Sequence, residues 1–300
     1  MAYKPRTERE EIPILRSLKA RMELSEEDIW NYFNLKKGFE GEVMFDLLTE
    51  KLQSECFILN DLLLELNNSK FQIDTLVVQD TIYLFDVKNH EGDYYYEKGD
   101  FISKSRKLMN NPLDQLKRCE TLLRQLLQKY GFKLPVEAWV VFINPEFTLY
   151  QAPKHEQIIY PTQLNTLLKK LNMWTGKLNG NHKKLADLLV SMHLVESPYP
   201  RIPPYEYEEL RKGIICSSCQ SILPSVTGRK IVCGDCGCNE GVDAAVLRSV
   251  RELKLLFPDR KITTKGVKEW CGGIISKDVI RRNLNQNYKA NGFGRWFYYE

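Results

Sequence analysis

FQIDTLVVQDTIYLFDVK, residues 71–88, decides the fold class. Its β-branched and aromatic residues mark two strands around a polar break at Gln79 to Thr81, which reads as a tight hairpin. If the hairpin pairs symmetrically about Asp80, partners sum to 160 and Asp74 lies across from Asp86. Side chains alternate along a strand, so Lys88 shares a face with Asp86 while Val87 points into the core. Two like charges facing each other across a hairpin are destabilising unless a cation compensates them.

Outward from this hairpin the chain alternates element types. FILND (57–61) reads as a strand, PLDQLKRCETLLRQLLQKY (112–130) as an amphipathic helix opened by Pro112 and ended before Gly131, and VEAWVVFI (136–143) as a buried strand. A strand near 157–160 and helices near 162–173 and 182–193 follow. Residues 6–34 alternate charged and apolar positions at helical spacing, and Ser25 to Asp28 fits a capping box. A helix after Gly38 places Val43, Phe45, Leu47, Leu48 and Leu52 on a mostly apolar face, with Glu42 in its first turn. The pattern is α/β or α+β.

The expected organisation is a helical lead-in (1–37), an α/β domain (38–195), a linker (196–207), a cysteine segment (208–240) and a basic helical domain (241–300). The linker rests on ESPYPRIPPYEY, whose four prolines exclude a helix interior. At 300 residues and 43% hydrophobic content, more than one core is expected. The apolar runs fall well short of the ~20 residues of a spanning helix, and the first 30 residues are charged, so a cytoplasmic protein is expected.

Hydrolysis of a phosphodiester needs closely spaced carboxylates to hold Mg²⁺ or Mn²⁺, and often a lysine beside the attacking water. A lone DVK triplet arises easily by chance in a charged chain. The arrangement around it is less common: a helix bearing Glu42, an ID dipeptide on the next long strand, and DVK after a tight turn. For Glu42 the plainer alternative is a solvated helix residue, and for Asp74 a strand-end residue.

GFEGE (38–42), FQIDTLVV, FDVKNHEG, NPLDQLKR and LPVEAWVVFINP together resemble the nuclease-related domain (NERD) family, itself similar to restriction-endonuclease-like PD-(D/E)xK enzymes. The resemblance spans roughly residues 10–165. It implies a mixed sheet flanked by helices, divalent-metal dependence and DNA as substrate. Carried over, Glu42 matches the helix glutamate, Asp74 the first strand aspartate, Asp86 and Lys88 the acidic-x-Lys pair, and Gln115 the glutamine of the downstream helix. The chain departs in reading DVK where the family pattern has EVK, and in lacking a tyrosine in QLKRC.

Five of the eight cysteines fall between Cys216 and Cys238. Cys216-x-x-Cys219 and Cys233-x-x-Cys236 have the spacing of a structural Zn²⁺ site, with Gly237 where a knuckle wants positive φ and Cys238 as an alternative ligand. Charge is uneven. Residues 245–300 hold 12 Lys and Arg against 5 Asp and Glu, whereas residues 1–244 hold 31 against 34. Helices at 243–257, 263–270 and 276–287 resemble a helix-turn-helix, with GFGRWFYYE as a terminal strand. Lys277, Arg281, Arg282 and Arg295 are its candidate nucleic-acid contacts, and a plain helical cap is the alternative. Phe293, Trp296, Phe297 and Tyr298 read either as core or as a stacking surface. The expected function is a metal-dependent DNA nuclease with a substrate-binding C-terminal region. The competing reading is a non-catalytic DNA-binding regulator.

Overall fold

The hairpin forms with the expected register. Strands β1 (Phe57–Leu66), β2 (Ser69–Val78) and β3 (Ile82–Lys88) run antiparallel, and β2 pairs with β3 as Thr75 to Phe85, Leu76 to Leu84, Val77 to Tyr83 and Val78 to Ile82. All four pairs sum to 160, so Asp74 and Asp86 lie one step beyond the last of them. The computed structural model describes residues 1–154, 157–194, 201–222 and 224–300, without the side chains of Pro224 and Arg295. Residues 196–200 of the expected linker thus lie outside the described residues.

The chain divides into two compact units, Met1–Glu8 with Asn34–Tyr199, and Arg9–Phe33 with Pro200–Glu300. Two helices precede the hairpin, α1 (Glu11–Arg21) and α2 (Glu26–Thr49). Ser25 caps α2, accepting a hydrogen bond from the Asp28 N–H at 3.1 Å. The helix runs unbroken through Gly38, so Glu42 lies in its middle and not in a first turn. A helical glycine costs only about 1 kcal/mol, which burial of Phe45 and partial burial of Leu48 against the sheet offset.

In the first unit follow β4 (Gly92–Glu97), β5 (Asp100–Ser103), β6 (Leu108–Met109), α3 (Pro112–Lys129), β7 (Val136–Phe142), β8 (Phe147–Tyr150), β9 (Ile158–Ile159), α4 (Leu164–Asn172) and α5 (Gly180–Ser191). The main sheet has the order β1-β2-β3-β7-β9, antiparallel through β3 and parallel beyond it. Helices cover both of its faces. Leu116, Leu123 and Leu126 of α3 and Leu185 and Leu189 of α5 share a core with Leu76, Val78, Ile82 and Leu84. On the other face Phe45 of α2 and Leu167 and Leu171 of α4 pack with Val77, Phe85 and Val87.

A second sheet, β6-β5-β4-β8, was not expected from the sequence. Its strands are two to six residues long, and the turns between them are rich in Lys, Gly and Ser, with Lys98 and Gly99 both at positive φ in the tight turn. What holds them is aromatic packing of Tyr94, Phe101 and Phe147 around Phe142.

The second unit contains β10 (Pro224–Thr227), β11 (Lys230–Cys233), β12 (Asn239–Gly241), α6 (Val242–Leu256), α7 (Thr264–Trp270), α8 (Lys277–Asn287), β13 (Ala290–Asn291) and β14 (Tyr298–Tyr299). Strands β10 to β12 form an antiparallel sheet. Its core joins Ile14 and Leu18 of α1 to Val246, Val250, Trp270, Ile280, Leu284 and Tyr299. At its centre Arg21 is fully buried. It pairs with Glu252 at 2.7 Å, donates to the carbonyls of Arg211 at 2.6 Å and Gly213 at 3.0 Å, and stacks 3.8 Å from the Trp270 ring. The protein is therefore a mixed sheet flanked by helices, followed by a cysteine-rich segment and C-terminal helices. Among the described residues no helix is long and apolar enough to cross a membrane.

Candidate functional site

Strand alternation places Asp74, Asp86 and Lys88 on the sheet face that α3 covers. Asp74 Oδ2 accepts the Val87 N–H across the hairpin at 2.7 Å, which fixes the carboxylate. Lys88 Nζ donates to Asp86 Oδ1 at 2.9 Å and to Gln115 Oε1, one turn into α3, at 3.0 Å. Gln115 is held in turn by the start of α3, whose Asn111 side chain caps the Leu113 N–H.

Asp86 is 8% exposed, and its Oδ2 is buried without a hydrogen-bond partner among the described residues. Burial pushes its carboxyl well above the ordinary carboxylate range, against the pull of the Lys88 ammonium and with a further push from Asp74. For Lys88 burial works the other way, but Asp86 and Asp74 outweigh it and raise its pKa, so the lysine is charged. An orphaned, buried carboxylate oxygen is what a hard cation satisfies. The carboxylates of Asp86 and Asp74 could hold a hard cation such as Mg²⁺ or Mn²⁺ on that ground.

Glu42 behaves differently. It projects from α2, the helix on the opposite sheet face, and its Oε2 accepts from Arg6 Nη1 at 2.5 Å. Among the described residues, the three carboxylates do not form a group whose ligand atoms all lie within 4.8 Å of one another. Arg6 and Asp46, neither evident from the sequence, belong to the same constellation. Arg6 is 3% exposed, and its Nε and Nη2 bind both oxygens of Asp46 at 2.8 and 3.1 Å. Its Nη2 also donates to the Asp74 carbonyl at 2.7 Å. Residues 3–4 run along β1, with the Tyr3 N–H on the Ile58 carbonyl and the Asn60 N–H on the Lys4 carbonyl, and this carries Arg6 inward. No sequence signal links an isolated arginine to a strand so far downstream.

Asn89 and His90 follow the lysine. Asn89 is structural: its Nδ2 donates to the Lys37 carbonyl at 2.8 Å and its Oδ1 accepts from Asn144 at 3.1 Å. His90 stacks on Tyr94 with ring centroids 5.0 Å apart. Burial, aided by Lys88 and Lys37, pushes its imidazole down to about 4.

In the second unit the sulfurs of Cys216, Cys219, Cys233 and Cys236 all lie within 4.8 Å of one another. Cys216 to Cys236 is 3.7 Å and Cys219 to Cys233 is 3.5 Å, close to the roughly 3.8 Å edge of a tetrahedron with Zn–S bonds of ~2.3 Å. The two CxxC turns are copies of each other. The Gln220 N–H bonds to the Cys216 carbonyl and the Gly237 N–H to the Cys233 carbonyl, each at 3.1 Å. Likewise the Cys216 N–H bonds to the Ser221 carbonyl and the Cys233 N–H to the Cys238 carbonyl. Gln220 and Gly237 both take positive φ, at 66° and 69°. Cys238 therefore occupies the position of Ser221, and its sulfur lies beside Ser217 Oγ at 3.7 Å and outside the cluster. The cluster is consistent with a small zinc-binding motif.

The basic helix α8 carries exposed Lys277, Arg281 and Arg282. Arg281 pairs with Asp278 at 3.0 Å, and Arg282 with Asp243 at 2.6 Å. The Arg295 side chain lies outside the described residues. In the terminal aromatic run Tyr299 is core at 2% exposure, while Phe293 is 92% and Trp296 67% exposed.

No curated protein and no solved structure matches the chain. Residues 37–143, just over a third of the chain, match the sequence model of the nuclease-related domain, NERD. The matched stretch runs from the middle of α2 to the end of β7 and so includes Glu42, Asp74, Asp86, Lys88 and Gln115.

Proposed function

We propose that the chain is a metal-dependent nuclease with a restriction-endonuclease-like first unit, hydrolysing phosphodiester bonds in DNA. The observation that carries this reading is the buried, unpartnered Oδ2 of Asp86 beside Asp74, with a charged lysine hydrogen-bonded to the same carboxylate. Mg²⁺ or Mn²⁺ held by Asp74 and Asp86 would supply charge neutralisation at the scissile phosphate and a nucleophile at neutral pH. Lys88, anchored by Asp86 and Gln115, would orient the attacking water through the one ammonium proton those two do not use. Gln115 fixes the lysine rotamer, and Glu42 completes the acidic rim. The similarity to the nuclease-related domain supports nucleic acid as substrate.

In the same reading Zn²⁺ on Cys216, Cys219, Cys233 and Cys236 orders the second unit, and Lys277, Arg281, Arg282 and Arg295 bind the nucleic-acid backbone. The ion pairs of Arg281 and Arg282 would exchange Asp278 and Asp243 for phosphates, so affinity falls with salt.

A second reading, a DNA-binding regulator without turnover, is favoured by one observation: Glu42 is engaged by Arg6, which leaves two carboxylates for a cation. Degradation of plasmid and single-stranded DNA with Mg²⁺ or Mn²⁺, using wild type and Asp86→Ala, separates the two. Cutting by wild type alone supports the nuclease, and equal cutting by both sinks the site. No cutting by either, with salt-sensitive binding lost when residues 208–300 are deleted, favours the regulator.

A further inference from the structure

The carboxylate site has a resident cation of its own. Arg6 commits its three nitrogens to Glu42, to both oxygens of Asp46 and to the Asp74 carbonyl, at distances of 2.5 to 3.1 Å. At 3% exposure it is more buried than Glu42 at 12% or Asp46 at 16%. Burial alone lowers an arginine pKa, yet Asp46, Glu42 and Asp74 together raise that of Arg6, so the charge is permanent. Glu42, Asp46, Asp74 and Asp86 bring four negative charges, against which Arg6 and Lys88 set two positive ones. Among these six side chains the surplus of two negative charges matches one divalent ion, and the buried Asp86 Oδ2, without a hydrogen-bond partner among the described residues, is the ligand atom open to it. Two close divalent ions would need Glu42 or Asp46 as further ligands, and both are held in the guanidinium fork.

We propose that Arg6 is a positioning residue that limits the site to a single divalent cation, held by Asp74 and Asp86, by withdrawing Glu42 and Asp46 from metal ligation. The proposal rests on the reading of the first unit as a metal site. It makes the nuclease chemistry one-metal chemistry, with Arg6 standing where a second ion would otherwise neutralise the acidic side chains of α2. A guanidinium cannot dissociate, so this half of the charge balance is independent of cation concentration.

The test counts Mn²⁺ bound to the full, zinc-loaded chain by the electron paramagnetic resonance signal of free Mn²⁺, at fixed ionic strength. Wild type is expected to bind one Mn²⁺ and Asp86→Asn none. Arg6→Gln, which leaves a surplus of three negative charges among these side chains and removes the guanidinium from both α2 carboxylates, is expected to bind two. Arg6→Lys, which keeps the charge, is expected to return the count to one. Should Arg6→Gln fail to fold, Glu42→Gln is the second variant. With Glu42 outside the coordination sphere its count stays at one and affinity falls by less than about tenfold, the size of one screened charge removed nearby. Wild type binding no Mn²⁺ overturns the metal reading and the inference with it. Wild type and folded Arg6→Gln each binding one ion with equal affinity, wild type binding two, or a Glu42→Gln loss above a hundredfold overturns the role of Arg6 alone.

Discussion

Two glycines three residues apart in α2 are expected to respond to the same substitution with opposite sign. An alanine Cβ at Gly38 meets nothing among the described residues within 4 Å, whereas at Gly41 it would lie 2.5 Å from Asn89 Cβ and 3.0 Å from its Cγ. Asn89 cannot swing away freely, because it holds the Lys37 carbonyl and Asn144. Each Gly→Ala change gains about 1 kcal/mol of helix propensity. Gly41→Ala then costs about 1–3 kcal/mol of overpacking and about 1 kcal/mol for each hydrogen bond it breaks. Gly38→Ala should therefore stabilise the first unit by up to about 1 kcal/mol, and Gly41→Ala should destabilise it by about 1–3 kcal/mol. Hydrogen exchange of the β2 and β3 amides across a urea series reads this unit separately from the second. Two variants of equal stability, or a more stable Gly41→Ala, would show that α2 does not press on the loop after β3 and would refute the close-approach argument.

Three further predictions concern other parts of the molecule. With a folded-state pKa of about 4 against the ordinary 6.5, His90 favours the unfolded state below pH 6.5, because only there does it readily take a proton. Its contribution is full above pH 6.5 and is lost progressively toward pH 4, by up to about 3 kcal/mol. Melting temperatures of wild type and His90→Phe between pH 7 and 4 should diverge accordingly, and parallel profiles would count against a buried neutral imidazole. Arg21→Met leaves Glu252, at 10% exposure, without its guanidinium and with only the Trp270 Nε1–H at 3.3 Å, and should cost the second unit about 3–5 kcal/mol. Adding Glu252→Gln should recover much of this, and a loss below about 1 kcal/mol in the single variant would contradict the burial argument. Finally, thiol titration should release one zinc per chain and abolish the near-ultraviolet signal of Trp270 while β2 and β3 amides stay protected. Release of no zinc would remove the assignment of the four-cysteine cluster.

What the sequence made legible follows from periodicity. The β2–β3 register and the common face of Asp74, Asp86 and Lys88 are set by a short turn and a two-residue repeat, both local. The paired CxxC turns were legible for the same reason, although Gln220 at positive φ carries no compositional mark. Three features had no local signal. The β4–β6 and β8 sheet is stabilised by aromatic contacts between distant segments, and its strands alone are too short to show a two-residue repeat. The continuity of α2 through Gly38 depends on what Phe45 and Leu48 bury against. The Arg6 clamp joins residues about forty to seventy positions apart, and nothing in an isolated arginine announces it.

The division of the chain into units has a consequence for its synthesis. Ile14 and Leu18 of α1 belong to a core whose other members lie beyond residue 200. At translation rates of ~5–20 residues per second, α1 leaves the ribosome roughly 10 to 40 s before those partners exist. For that interval the nascent chain displays the Ile14 and Leu18 side of an amphipathic helix without the partners that bury it. Early release of the polypeptide, or truncation after residue 199, would leave that helix permanently orphaned and make it a handle for chaperones.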